Sequence, residues 1–177
     1  MAQENALHQI NISYDQVQDR LLLRMTNTGG QEFQYWLTRR FVGMLWQALG
    51  HVFDWFGKQQ VGSDSLLNSV RKELVAQHAT DGAKLDDEYQ GGTQLVSGMA
   101  PLLLTTINIR PLPPSLYLLQ LEPLDGQSID LRMDEKLAHV ISHMLKEATR
   151  SAEWALPGAE ATQTLGEINP SAGYRLH

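Results

Sequence analysis

The chain has 177 residues, enough for one domain with a sizeable core, and no cysteine, which excludes a disulfide framework, a thiolate metal site and a cysteine nucleophile. Its formal net charge of -6 argues against a dedicated nucleic-acid binder, although a local basic patch stays open. No run approaches the roughly 18 apolar residues of a membrane span, and the first residues lack the basic region and apolar core of a secretory signal, so a cytoplasmic protein is expected.

In chain order, the residues before Gln9 are polar and expected to fray. Residues 9–14 read as a strand with Ile10, Ile12 and Tyr14 on one face, and residues 15–20 as a polar connection carrying Asp15, Asp19 and Arg20. A hairpin follows. Residues 21–25 and 31–37 place apolar side chains at period two, and the turn between them, Asn27-Thr28-Gly29-Gly30, tolerates positive φ. From Thr38, as N-cap, the period changes to that of a helix ending near Gly57. The apolar residues of that helix cover roughly 200° of its surface, about twice the stripe a surface helix needs. One sheet face is too narrow for it, so a further helix or another chain is expected to cover the rest.

A second helix is expected over residues 64–78, with Leu66, Leu67, Val70 and Leu74 as its stripe. Residues 79–92 are acidic and glycine-rich and read as a mobile linker. Their carboxylates do not have the spacing of an EF-hand calcium loop. The run around residues 102–107 is apolar on both faces, which predicts an interior strand, and Pro111, Pro113 and Pro114 are expected to end its pairing. A second hairpin, residues 117–121 and 128–133, turns at Asp125-Gly126. The last helix opens at Asp134 as cap, with Glu135 in its first turn and Lys146 and Arg150 toward its end, an order that suits the helix dipole. Residues 156–177 read as a disordered tail.

The two hairpin-helix stretches match. Laying Gly30-Gln31 on Gly126-Gln127 places Leu21, Leu23 and Met25 on Tyr117, Leu119 and Leu121 without a gap. The same offset places Phe33, Tyr35 and Leu37 on Ile129, Leu131 and Met133, and Phe41, Leu45 and Leu49 on Leu137, Ile141 and Leu145. The strands upstream of each hairpin align only after a one-residue shift. The reading is therefore an α+β domain over residues 1–155. It comprises two pseudo-repeated β-β-β-α units, residues 9–57 and 102–155, related by a pseudo-twofold. An antiparallel sheet is packed by helices on one face, with one inserted helix. Few residues are identical between the units and hairpin-plus-helix is a common arrangement, so chance likeness is the alternative.

Three groups of residues invite a functional reading. Arg39 and Arg40 open the first helix, where cations oppose the dipole, and with Arg20 and Arg24 they could form an anion-binding patch. The plainer account is ion pairing with Asp15, Asp19 or Glu32. His139 and His143, at i and i+4, share a helix face as a zinc pair would, but no third ligand is placed by the sequence and solvated histidines are expected. Trp36, Trp46, Phe53, Trp55 and Phe56 form an aromatic set. Trp36 has outward parity on its strand, and aromatic side chains dominate interface hot spots, so this set is the expected interface of a homodimer. No motif specific to catalysis or to a cofactor is present. The expected role is a non-catalytic protein-interaction or assembly module. Nucleic-acid or anion binding through the arginines is the first alternative, and an enzyme without a recognisable motif the second.

Residues 12–24 (ISYDQVQDRLLLR) and 31–40 (QEFQYWLTRR) resemble a family of small uncharacterised bacterial proteins. The resemblance implies a bacterial cytoplasmic setting and carries no activity or site residues with it.

Overall fold

The computed structural model describes residues 6–59, 88–96, 98 and 100–155. The helix expected over 64–78, the linker up to residue 87 and the tail from 156 lie outside the described residues. The elements are β1 (Leu7–Asp15), β2 (Arg20–Asn27), β3 (Gln31–Leu37), α1 (Arg39–Gln59), β4 (Gln94–Leu95), β5 (Leu102–Leu112), β6 (Leu116–Pro123), β7 (Ile129–Met133) and α2 (Glu135–Ser151). The fold is α+β. The strands form one mostly antiparallel sheet in the order β1-β2-β3-β5-β6-β7, with β4 also paired to β3. No described helix is long and apolar enough to cross a membrane.

Local chemistry explains each turn. Asp15 closes the β1–β2 loop by accepting the Val17 and Gln18 N–H groups on Oδ1, both at 2.9 Å. Asp19, at φ 47°, accepts the Tyr14 hydroxyl at 2.9 Å. In the β2–β3 turn, the Asn27 side chain accepts the Gln31 N–H at 2.9 Å and donates to Gln31 Oε1 at 2.8 Å. Gly30 supplies the positive φ there, 76°. Thr38 caps α1, its hydroxyl accepting the Phe41 N–H at 3.2 Å. Asp134 caps α2 at Leu137 N, 2.7 Å, with Glu135 in the first turn and Arg150 in the last, as the charge order predicts.

The core lies between one sheet face and the two helices. Leu21, Leu23, Met25, Tyr35 and Leu37 of the first hairpin join Tyr117, Leu119, Leu121, Leu131 and Met133 of the second. Phe41, Val42, Leu45, Leu49, Val52 and Phe56 of α1 and Ala138, Ile141, Leu145 and Ala148 of α2 close over them. The alternation read from the sequence names this face. The hairpin registers are also parallel in number: Leu21↔Leu37, Leu23↔Tyr35 and Met25↔Phe33 in the first, Tyr117↔Met133, Leu119↔Leu131 and Leu121↔Ile129 in the second.

The structure corrects four expectations. First, the pseudo-twofold between the halves is absent. A two-fold would reverse the strand order in the second half, whereas β3 and β5 pair in parallel and the order repeats. The halves are displaced along the sheet. Second, β5 is interior for only two residues, where Tyr35 and Trp36 pair with Leu102 and Leu103. After an irregularity between Leu104 and Thr106 it continues beside β6 alone, with Thr105, Thr106, Asn108 and Arg110 exposed. Third, pairing does not stop at the first proline: Pro111 pairs with Tyr117 and Leu112 with Leu116. Proline is tolerated in a strand whose other side is unpaired, because its missing N–H then leaves no gap in the ladder. Fourth, His139 is not a solvated histidine. Its ring stacks on Phe53 of α1 at 4.5 Å between centroids and 27° between planes.

Candidate interaction surface

Side chains at alternate positions leave the sheet on the side away from the described helices. The registers order them in rows. Ser13, Leu22, Trp36 and Leu103 lie side by side across β1, β2, β3 and β5. The adjacent row is Asn11, Arg24 and Gln34, and the next is Gln9, Thr26, Glu32 and Leu95. On the other side of the Trp36 row, Asp15 opposes Arg20. Leu22, Trp36 and Leu103 are half-buried and form an apolar bar in polar surroundings.

Residues 88–96 strap the lower end of this face. Glu32, only 7 % exposed, accepts the Gly92 N–H on Oε2 at 2.9 Å and the Gln34 amide on Oε1 at 3.0 Å. Thr93 N–H donates to the Gly30 carbonyl at 2.8 Å, and Val96 N–H to the Glu32 carbonyl at 2.8 Å. Gly92 has no room for a side chain: a Cβ there would lie 2.7 Å from the Gly30 oxygen and 2.8 Å from Glu32 Cβ. Tyr89 folds back over β2, its ring centroid 4.5 Å from the Arg24 guanidinium carbon. Arg24 Nη2 donates to Asn11 Oδ1 at 2.9 Å, while its Nε, the Thr26 hydroxyl and the Tyr89 hydroxyl are enclosed without a hydrogen bond. Burial, and then the negative charge of Glu32, push the Tyr89 hydroxyl well above the ordinary tyrosine value; Arg24 opposes this in part. At the end of the expected linker, Tyr89, Gly91 and Gly92 thus pack against β2 and β3.

The sequence-derived sites are distributed as follows. Leu21 pairs with Leu37, so Arg20 and the start of α1, with Arg39 and Arg40, lie at the same end of the sheet. Arg24 is about 13 Å further along β2 and is held under Tyr89. Arg39 and Arg40 are exposed and form no ion pair among the described residues. The carboxylates offered as their partners are used elsewhere: Asp15 and Asp19 build the β1–β2 loop, and Glu32 anchors the strap. Of the aromatic set, Phe56 is core, 4 % exposed. Trp55 meets Phe56 and Tyr117 edge-on at 5.0 and 5.1 Å. Phe53 stacks on His139, and Lys146 Nζ sits 5.6 Å from the Trp46 ring. The wide apolar side of α1 therefore has α2 as a partner, and Trp36 is the member of the set placed on the face away from the described helices. Among the described residues no cluster of three or more His, Asp or Glu could hold a metal ion.

Sequence reasoning missed Leu22, Glu32, Tyr89, Leu103 and the Gly91-Gly92 pair as members of this surface. The parity of β2 and β3 already carries Leu22 and Glu32, since both alternate with core positions. Two adjacent glycines beside a lone aromatic are a signal of close backbone approach, overlooked in so acidic a stretch. No protein-family model, no curated protein and no solved structure matches the chain.

Proposed function

We propose that this chain is a non-catalytic protein-interaction module, acting as a homodimer in the cytoplasm, and that it holds its protein partner on the sheet face away from the described helices, along Leu22, Trp36 and Leu103. The observation that carries this reading is the apolar bar itself: three large side chains in register across three strands, flanked by rows in which polar groups predominate. A central aromatic anchor ringed by hydrogen-bonding side chains is the composition expected of an interface hot spot. The unit is used twice in this reading, supported by the matching registers of the two hairpins. The second use has diverged: the positions corresponding to Leu22 and Trp36 are Leu118 and Arg132. Binding is therefore assigned to the first half.

Nucleic-acid binding gains nothing from the charge of this face. Arg20, Arg24, Arg110 and Arg132 share it with Asp15, Glu32, Glu122 and Asp130, so no net positive field results. A competition between wild-type chain and a Leu22→Ser/Leu103→Ser variant, each used as bait with quantitative mass spectrometry, tests the proposal. One or more proteins retained by the wild type and reduced at least tenfold with the variant are expected. Equal retention by both baits contradicts it.

A further inference from the structure

Apart from the two-residue β4, the sheet has three stretches of strand edge without a described partner, and they differ in how they are protected. The outer edge of β7 is five residues long and carries Asp130 and Arg132. The free side of β5 carries Pro111 next to its end, with Pro113 and Pro114 just beyond the strand. Charges, prolines, bulges and short length are the devices that stop an edge from pairing with another chain. The outer edge of β1 carries these devices only at its two ends, an irregularity between Leu7 and Gln9 and the charge of Asp15, and none over the stretch between them. The strand is nine residues long, and from Leu7 to Tyr14 it contains no proline, lysine, arginine, aspartate or glutamate. Its apolar side chains are also incompletely covered. Leu21, Leu23 and Met25 on the neighbouring strand are at most 3 % exposed, whereas Leu7, Ile10 and Tyr14 pack against the same core and remain half-buried.

We infer that β1 is the seam of a symmetric dimer, in which it pairs antiparallel with β1 of a second copy. The inference rests on the homodimer reading above and moves its interface from α1 to the sheet edge. The occupant follows from the strand's own pattern. Antiparallel pairing centred on Asn11 sets Ile10 against the partner's Ile12 and Gln9 against the partner's Ser13. Apolar meets apolar on the helix side and polar meets polar on the open side, so both faces of the sheet continue across the axis. The contact is isologous and closes after two copies. The half-exposed apolar row gains cover, and the faces of both copies away from the described helices lie side by side.

The charge pattern of the pair provides the test. Gln9→Lys/Ser13→Lys places lysine against lysine twice across the axis, and Gln9→Lys/Ser13→Glu places lysine against glutamate twice. Native mass is read by light scattering after gel filtration over a range of concentrations, with circular dichroism to check folding. Twice the protomer mass is expected for wild type and for the Lys/Glu variant, and the protomer mass for the Lys/Lys variant. A dimeric wild type whose Lys/Lys variant stays dimeric overturns the seam and leaves the homodimer reading standing. A monomeric wild type at every concentration overturns both. A single-cysteine experiment is independent of charge: under mild oxidation Asn11→Cys, at the axis, is expected to link two chains efficiently, and Val17→Cys, in a loop at 92 % exposure, is not. Failure of Asn11→Cys to link overturns the seam even where the Lys/Lys variant does not fold.

Discussion

At the residue scale, the chemistry of this protein is concentrated around Arg24 and Glu32 of one hairpin and Tyr89, which lies far from them in sequence. Arg24 and Glu32 are on paired strands, and Tyr89 reaches them because Gly91 and Gly92 let the backbone pass directly over Glu32. The enclosed Tyr89 hydroxyl gives a pH dependence with a defined sign. The fold holds its proton above the ordinary value of 10.0, while the unfolded chain releases it there. Above that pH the unfolded state binds fewer protons than the fold, so stability present below about pH 10 is lost as pH rises toward the folded value. Chemical denaturation between pH 8 and 11 is expected to show a steeper fall for wild type than for Tyr89→Phe. Tyr14 and Tyr35, whose values are also raised, remain in both proteins and cancel. Equal slopes would mean that Tyr89 ionises as freely in the fold as in the open chain.

At the scale of elements, much was legible beforehand because period and caps act locally. The alternation in β2, β3, β6 and β7 named the core face, and Asp134 named the start of α2. Asp134→Ala is expected to cost about 1 kcal/mol, the usual worth of an N-cap, seen as a lower denaturation midpoint with unchanged slope. No loss would mean that the first turn of α2 is held by packing alone. What was not legible depends on contacts between distant elements. The over-wide face of α1 was visible, but not that α2 would supply Phe53 and Trp46 with His139 and Lys146. The run at 102–107 looks interior by composition; its pairing to β3 is cut to two residues by the irregularity after Leu104, which no local pattern announces. The same holds for Trp154, which returns from the end of α2 to meet Tyr14 edge-on at 6.1 Å.

At the scale of the whole molecule, the sheet divides the labour. One face and both described helices make the core, and among the described residues the other face carries mostly polar side chains, the strap, Leu95, Leu118 and the bar of Leu22, Trp36 and Leu103. Along the sheet the outer residues differ: the apolar bar of Leu22, Trp36 and Leu103 on β2, β3 and β5, and Asp130 and Arg132 beside Gln120 and Leu118 on β7 and β6. The proposed role as an interaction module needs no catalytic group. It needs a rigid face with an anchor, and its specificity comes from what surrounds the anchor. The measurement that tests this most directly is site-specific photo-crosslinking in living cells, with the reactive amino acid placed at position 36 and, as control, at Gln47 on the exposed side of α1. The account predicts a discrete adduct with one or a few proteins from position 36 and none from position 47. Adducts from both positions alike, or from neither, would contradict it.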